Sequence, residues 1–239
     1  VVYRNIAENI ATLIKDGDTL QMGIGAIPDA VLPYLREKND LGIHTEMFSD
    51  SLIDLIELGV VNGDRKTLLP GKVVSSFVIG TKKIFDYIDD NSLIEFRTSK
   101  FVNDPFTIAR NDNMISINSC IQVDITGQVC SDSIGPKIYS GFGGQVDFIR
   151  GSARSKNGKP IIAFASTCKN DTVSKITPFL TEGAGVTTSR GDVHFIITEW
   201  GIADLFGKTL RQRAEMLIGI AHPNFRDELT QRAKELKYL

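Results

Sequence analysis

Apolar positions along the chain switch repeatedly between a helical and an extended period. Ile6, Ile10 and Leu13 fall on one helical face and predict a helix over Arg4 to Ile14, closed by the turn Asp16-Gly17-Asp18. Thr19 to Met22 is a short apolar run that predicts a buried strand, and helical spacing resumes over Asp29 to Leu35. Leu41, Ile43 and Thr45 alternate as a strand with one face inward, which delivers Glu46 to its end. Ser49 or Asp50 is then placed to cap a helix over Ser51 to Leu58. After the turn Asn62-Gly63-Asp64, Val73 to Gly80 predicts another strand, and Thr81 caps a helix that runs to Ile88. Ser92 to Phe101 predicts a further strand. Asn103-Asp104-Pro105 supplies a cap and a first-turn proline for the next helix.

The pattern shifts at Met114 to Ile125, which turns through Asp124, Thr126 and Gly127 into Gln128-Val129-Cys130 as a β-hairpin. Gly141, Gly143 and Gly144 open a helix whose apolar face includes Val146, Phe148 and Ile149. Pro160 to Ala165 predicts a short buried strand, and Ser174 to Phe179 a strand inside the otherwise irregular stretch from Lys169 to Gly185. His194 to Gly201 predicts a strand that ends, like Ile43 to Glu46, in a carboxylate, here Glu199. Amphipathic helices over Leu210 to Ile218 and Pro223 to Leu239 close the chain. Recurrent strand, turn and helix predict an α/β fold, a mostly parallel sheet with helices on both faces plus a β-hairpin.

Composition narrows the partners. The 239 residues suffice for one large α/β domain or two small ones. With 27 basic and 29 acidic residues the net charge is −2, so no overall field recruits nucleic acid or an anionic membrane, and small molecules or other proteins are the expected partners. Cys120, Cys130 and Cys168 are odd in number and lack Cys-x-x-Cys spacing, which predicts free, mostly buried thiols and a reducing, cytoplasmic setting. There is no apolar run of about eighteen residues and no secretory signal pattern. The chain opens on Val1-Val2-Tyr3 without an initiator Met, which predicts a portion of a longer protein.

The candidate chemistry centres on Glu46, because ligands of open α/β sheets bind at the carboxyl ends of strands. A lone Glu is ordinarily a surface residue, and its neighbours give it weight. Gly23-Ile24-Gly25 joins a strand to a helix with backbone amides open to a ligand, and Gly141 to Gly144 offers the same before another helix. Neither loop completes a dinucleotide or P-loop fingerprint. No Gly-x-Ser-x-Gly elbow is present, and His44, His194 and His222 lack metal-ligand spacing, so serine hydrolysis and a metal site are not expected. His44, two residues from Glu46 on the same strand face, is a candidate acid or base and equally a structural histidine. Glycoside cleavage by paired carboxylates would leave the glycine loops without a role. A carboxylate nucleophile flanked by backbone N–H donors fits acyl transfer.

At these residues the sequence resembles the acetyl-CoA hydrolase/transferase family of CoA-transferases, and most closely the 4-hydroxybutyrate CoA-transferases. The matching stretches are Gln21 to Val31, His44 to Asp50, Asn103 to Pro105, Tyr139 to Phe148, Val186 to Arg190, Ile197 to Leu205 and Ala221 to Pro223, in order along the whole chain. The resemblance implies the CoA-transferase fold and a ping-pong reaction on Glu46, passing through a mixed anhydride and a glutamyl-CoA thioester. It implies an oxyanion hole from Gly144 and the backbone of Ile24 and Gly25, and places Asn103 and Glu199 near the reacting carboxyl groups. Gly23, Ile24, Gly25, Gly141, Gly143 and Gln145 would contact CoA, which serves as a substrate; no permanently bound cofactor and no metal are implied. Substrates would be an acyl-CoA and short carboxylic acids such as 4-hydroxybutyrate, butyrate or acetate. Residues 1–239 would form the C-terminal catalytic domain only, paired with the protein's own N-terminal domain in a homodimer. An acyl-CoA hydrolase on the same fold, a non-catalytic CoA-binding module and a sugar-phosphate isomerase on a related fold are the competing expectations.

Overall fold

The computed structural model describes residues 1–23 and 25–239. Helix α1 (Val2–Leu13) opens the chain, on the face predicted by Ile6 and Ile10, both fully buried. The chain divides into two compact units, one of Ile10–Ile117 with Asp147–Pro160, the other of Val1–Asn9, Asn118–Val146 and Ile161–Leu239.

The first unit is a parallel sheet. Strands β1 (Thr19–Met22), β2 (Gly42–Phe48), β3 (Val73–Val78), β4 (Ile94–Phe96) and β5 (Met114–Asn118) lie in the order β5-β1-β2-β3-β4, every pair parallel. Between them run α2 (Ala26–Leu35), a 3-10 turn at Asp50–Leu52 with α3 (Ile53–Glu57), α4 (Lys82–Ile88), α5 (Ser99–Val102) and α6 (Pro105–Ile108). Ile43 and His44 point to opposite faces of β2 and both are fully buried, so the central strand is covered on both sides, as parallel sheets require. Helix α7 (Gln145–Arg154) packs on the His44 face through its residues from Asp147 onward. There the Ser155 hydroxyl receives the Met114 N–H at 3.1 Å, Ser152 Oγ meets Ser116 Oγ at 2.7 Å, and the Phe148 ring lies 6.2 Å from the His44 ring. α7 therefore crosses from the start of β5 to β2. Phe148 joins Val74, Val102, Ile108 and Met114 in one buried cluster.

At the amino end of the strands, Lys66 is buried with its ammonium between the carbonyls of Ile43 (3.0 Å) and Lys72 (2.8 Å). Its stem fills the space beside Gly42, where a Cβ would come within 2.3 Å of it. Glycine is required there by that close approach.

The second unit is built from shorter pieces. Strand β10 (Lys159–Ala163) pairs parallel with β14 (Phe195–Thr198), which turns antiparallel into β15 (Gly201–Asp204). β6 (Gln122–Asp124) and β7 (Val129–Cys130) form a hairpin whose turn is held by Asp124, and β13 (Ile176–Thr177) adds parallel to β6. β8 (Ser133–Ile134) with β9 (Lys137–Ile138), and β11 (Thr167–Cys168) with β12 (Val173–Ser174), are two further hairpins. Helices α8 (Leu210–Gly219), with a Thr209–Gln212 capping box, and α9 (Pro223–Glu235) finish the unit.

Several elements differ from expectation. Ser92 to Phe101 is not one strand: β4 stops at Phe96, and Thr98 becomes the N-cap position of α5. Met114 to Ile125 is likewise two strands, with β5 in the parallel sheet and only β6 in the hairpin. Neither Ser49 nor Asp50 caps the helical turn after β2 with its side chain. The Asp50 carboxylate reaches instead to the Thr81 N–H at 2.7 Å, bracing the start of α4. Cys120 and Cys130 are buried and Cys168 is exposed, all three as free thiols. No helix among the described residues is long and apolar enough to cross a membrane.

Candidate active site

Glu46 lies within β2, which continues past it to Phe48 rather than ending at Glu46 as expected. In register it stands opposite Ser76, because Thr45 pairs with Ser75 and Met47 with Phe77. Ser75 Oγ donates to the Glu46 carbonyl at 3.1 Å, and Thr45 Oγ1 donates to the Met22 carbonyl at 3.1 Å, tying β2 to both neighbours at this level. The Glu46 side chain shares a face with His44, the face on which α5 and α7 pack.

Beneath it, His44 is a structural residue. It is fully buried, its Nε2 meets the Val102 carbonyl at 2.9 Å, and burial pulls its pKa down to about 4, so near neutral pH the ring is uncharged. Bonding to a carbonyl places the ring proton on Nε2 and leaves Nδ1 a buried acceptor without a hydrogen-bond partner among the described residues. Of the two roles the sequence left open, acid or base and structural histidine, the second holds: His44 clamps β2 to α5.

Around Glu46 the first unit gathers polar groups. Asn103 follows Val102 at the end of α5, and its buried Oδ1 has no hydrogen-bond partner among the described residues; the same holds for Ser76 Oγ. Asp104 caps α6 by accepting from Phe106 N, Thr107 N and Thr107 Oγ1, and the Thr107 hydroxyl holds its carboxyl below the usual range. Asp147, one residue before Phe148, has its carboxyl pushed up by burial first and then by the negative charge of Glu46. Asp147 carried no signal in the sequence, since an acidic residue in the first turn of a helix is ordinary. Beyond the strand ends, a cavity of about 480 Å³ opens between Gly25, Ser49, Asp50, Ser51, Asp54 and Lys83. Gly25, at φ 114°, starts α2 and occupies a conformation reserved for glycine. Gly23 lies just after β1, and Ile24 lies outside the described residues.

The remaining expected residues belong to the second unit. Glu199 does not end a strand as Glu46 was expected to. It occupies the two-residue turn between β14 and β15, where its carboxylate accepts the Ser166 N–H at 2.9 Å and the Ser166 hydroxyl at 2.6 Å. Beside it, Trp200 is half-exposed and meets the His222 ring edge-on at 5.4 Å. In the glycine loop, Gly143 has φ 53° and Gly141 has open space where a side chain would be. Gly144 lies in the same loop, and Gln145 is buried with its amide donating to the Ser119 carbonyl at 3.3 Å. Among the described residues no cluster of three or more His, Cys, Asp or Glu could hold a metal ion.

Residues 80–233 match the family described as acetyl-CoA hydrolase/transferase C-terminal domain. The chain belongs to the acetyl-CoA hydrolase/transferase family. A 4-hydroxybutyrate coenzyme A transferase from Clostridium kluyveri is 56% identical over 98% of the chain and 54% of its own length. A succinyl-CoA:acetate/propanoyl-CoA:succinate CoA transferase from Fasciola hepatica is 56% identical over 95% of the chain and 47% of its own. At greater distance, an acetyl-CoA hydrolase from Yarrowia lipolytica is 32% identical over 92% of the chain and 41% of its own length. The crystal structure of RipA from Yersinia pestis superposes with a TM-score of 0.94 at 46% identity, covering 100% of the chain and 54% of RipA. The chain thus spans about half the length of the relatives it matches. The fold of this family member is the mixed α/β arrangement with a mostly parallel sheet that the sequence predicts.

Proposed function

We propose that the full-length protein is a CoA-transferase that moves CoA between acetyl- or butyryl-CoA and a short carboxylate such as 4-hydroxybutyrate, with Glu46 as nucleophile. The observation that carries this is Glu46 itself, a carboxylate near the carboxyl end of a central parallel strand, on the face it shares with His44 and level with Ser76, residues whose buried Nδ1 and Oγ, respectively, have no hydrogen-bond partner among the described residues. The Clostridium kluyveri relative, a named 4-hydroxybutyrate transferase, supports the substrate class.

In the proposed cycle a Glu46 oxygen attacks the thioester carbonyl, the C–S bond breaks, and CoA leaves as a thiolate holding the electron pair. The thiolate then attacks the Glu46 side-chain carbonyl of the mixed anhydride and expels the acyl group as a free carboxylate. A second carboxylate reverses both steps and departs as the new acyl-CoA. Each addition places charge on an oxygen that backbone N–H groups would stabilise; the loop at Gly25 in one unit and Gly144 in the other are the candidate donors. Asn103 would orient the reacting carboxyl groups through its amide. Gly23 in the same unit, and Glu199, held by Ser166, with Gly141, Gly143 and Gln145 in the other, are the further candidates for the acyl and CoA contacts.

The same proposal takes residues 1–239 as the C-terminal catalytic domain of a longer cytoplasmic homodimer. A second outcome, hydrolysis of the glutamyl-CoA thioester by water, is favoured by the Yarrowia lipolytica relative, named an acetyl-CoA hydrolase. The two differ in how well water is kept from the thioester.

Intact mass of the full-length protein after incubation with acetyl-CoA should show a CoA-sized adduct on the peptide carrying Glu46, removed by hydroxylamine or borohydride. Glu46→Ala should abolish the adduct and lower turnover by roughly a millionfold or to background. Tight CoA binding without any adduct would sink the covalent assignment in favour of a binding module, and release of free CoA without a carboxylate acceptor would mark a hydrolase.

A further inference from the structure

At the level of Glu46, β2 and β3 carry three hydroxyls, and one of them differs from the others. Thr45 Oγ1 is shared between the carbonyls of Met22 and Met47, 3.1 Å from each, and Ser75 Oγ between those of Glu46 at 3.1 Å and Phe77 at 3.0 Å. Both side chains lie on the face of the sheet opposite His44, and both fasten backbone. Ser76 is the next residue on β3, so its side chain emerges on the face that carries His44 and Glu46. The register sets it across from Glu46, since Thr45 pairs with Ser75 and Met47 with Phe77. Neighbouring strands lie about 4.8 Å apart, which puts the Ser76 hydroxyl beside the root of the Glu46 side chain and within reach of its carboxyl group when that side chain leans toward β3.

Ser76 Oγ is nevertheless buried without a hydrogen-bond partner among the described residues. One step down the same face lie Val74, in the buried cluster with Phe148 and Val102, and the uncharged His44. In such apolar surroundings a hydrogen bond is stronger than in water. Buried hydroxyls are ordinarily paired, and this one stands beside the proposed nucleophile with its donor unused.

We propose that Ser76 is a catalytic residue whose hydroxyl donates a hydrogen bond to the side-chain carbonyl oxygen of Glu46 once Glu46 is acylated. This rests on Glu46 being the nucleophile and adds a donor to that mechanism. The cycle attacks two different carbonyl groups. One belongs to the substrate thioester; the other is the Glu46 side chain itself, first in the anhydride and later in the glutamyl-CoA thioester. In the second kind of attack the thiolate sulfur, or an oxygen of the incoming carboxylate, bonds to the Glu46 side-chain carbon, and the C=O electron pair moves onto the Glu46 oxygen. When the pair returns, the C=O bond reforms and the leaving group departs with its own pair, as a carboxylate or as CoA thiolate. No proton is transferred. The Ser76 O–H stabilises the charge while it resides on the Glu46 oxygen. Ser75, fastened to the Glu46 carbonyl, holds the two strands in register at this level, so the donor is in place before the charge develops.

The test uses the full-length protein, with Ser76→Ala removing the hydroxyl. Conversion of the glutamyl-CoA adduct to acetyl-CoA on mixing with acetate, quenched and read by intact mass, should slow about ten- to a thousandfold. The denaturation midpoint should stay level or rise, because a buried unpaired hydroxyl has been removed; a purely structural role would lower it and leave the rate unchanged. With the heavy carbon isotope at glutamate Cδ, the infrared difference between adduct and free protein reads the thioester carbonyl directly. Its stretch should lie at higher frequency in Ser76→Ala than in the wild type, since the hydrogen bond that weakens the C=O bond is gone. Slowing together with that shift supports the proposal. Slowing by less than about tenfold, or an unshifted stretch, overturns it. Should Ser76→Ala fail to fold, Ser76→Cys, of similar size and a weak donor, is read by the same two criteria. Absence of any adduct in the wild type would end the assignment of Glu46 as nucleophile and this proposal with it, whereas an adduct indifferent to Ser76→Ala ends this proposal alone.

Discussion

Lys66 and His44 are both buried bases, and each makes the protein's stability depend on pH in a stated direction. Burial lowers the Lys66 ammonium from 10.5 to about 7, while the unfolded chain keeps its proton to the higher value. Between those limits the unfolded state binds more protons, so stability rises with pH, by at most about 1.4 kcal/mol per pH unit from this residue. In chemical denaturation over that window, Lys66→Met should lose this slope; an unchanged slope would mean that water reaches the amine. His44 works at the acid side: with its folded pKa lowered from 6.5 to about 4, the stability that its neutral form provides is lost as pH falls through that interval. The sequence placed His44 beside Glu46 correctly and left its role open. What decides the role is the Val102 carbonyl, fifty-eight positions away in the chain, and no local pattern reports it.

Among the elements, α7 is the one on which the Glu46 face depends, and its fit rests on small residues. A Cβ at Gly151 would come within 2.5 Å of Ile108, a collision with the body of a core side chain. Gly151→Ala should cost about 1–3 kcal/mol, seen as a lower denaturation midpoint. A variant of unaltered stability would show that Ile108 can give way. The start of this helix was legible because three glycines precede a clear apolar face. Elements defined by alternation, β1, β2, β3 and β10, were legible for the same reason: each is a short apolar run bounded by turn residues. The errors fall where backbone conformation rather than apolar spacing sets the boundary. Thr98 starts α5 inside what alternation read as strand, and Glu199 sits in a hairpin turn because Gly201, at φ 143°, begins the return strand. Pairing is also silent in single-strand patterns, so β5 was joined to the hairpin when its register partner is β1.

Across the whole molecule, burial is uneven, and the two units should open with different ease. In the first, β1, β2 and β5 are covered on both faces, whereas the second depends on two-residue hairpins such as β8–β9, with Ile134 and Ile138 exposed. Hydrogen exchange followed by mass spectrometry should find the amides of Leu20, Ile43 and Ile115 among the slowest, and those of β8 and β9 among the fastest. Comparable protection in both sets would contradict the burial pattern. At this scale the fold class was legible, since alternation of strand and helix leaves few architectures. The candidate site was legible only through Glu46 and the glycine loops. Asp147, Ser76 and the role of Asn103 depend on which helix crosses which strand, and that is a property of packing.

Lys66 closes the amino ends of β2 and β3 by holding the carbonyls of Ile43 and Lys72, while Glu46 lies toward the opposite rim of the same strand. The strand thus carries its fastening at one end and the proposed nucleophile at the other. For protein engineering this separation is an advantage. The Gly42–Lys66 rim is a place to add rigidity away from Glu46, and the Glu46 rim is a place to vary side chains while the fastening keeps the sheet in register.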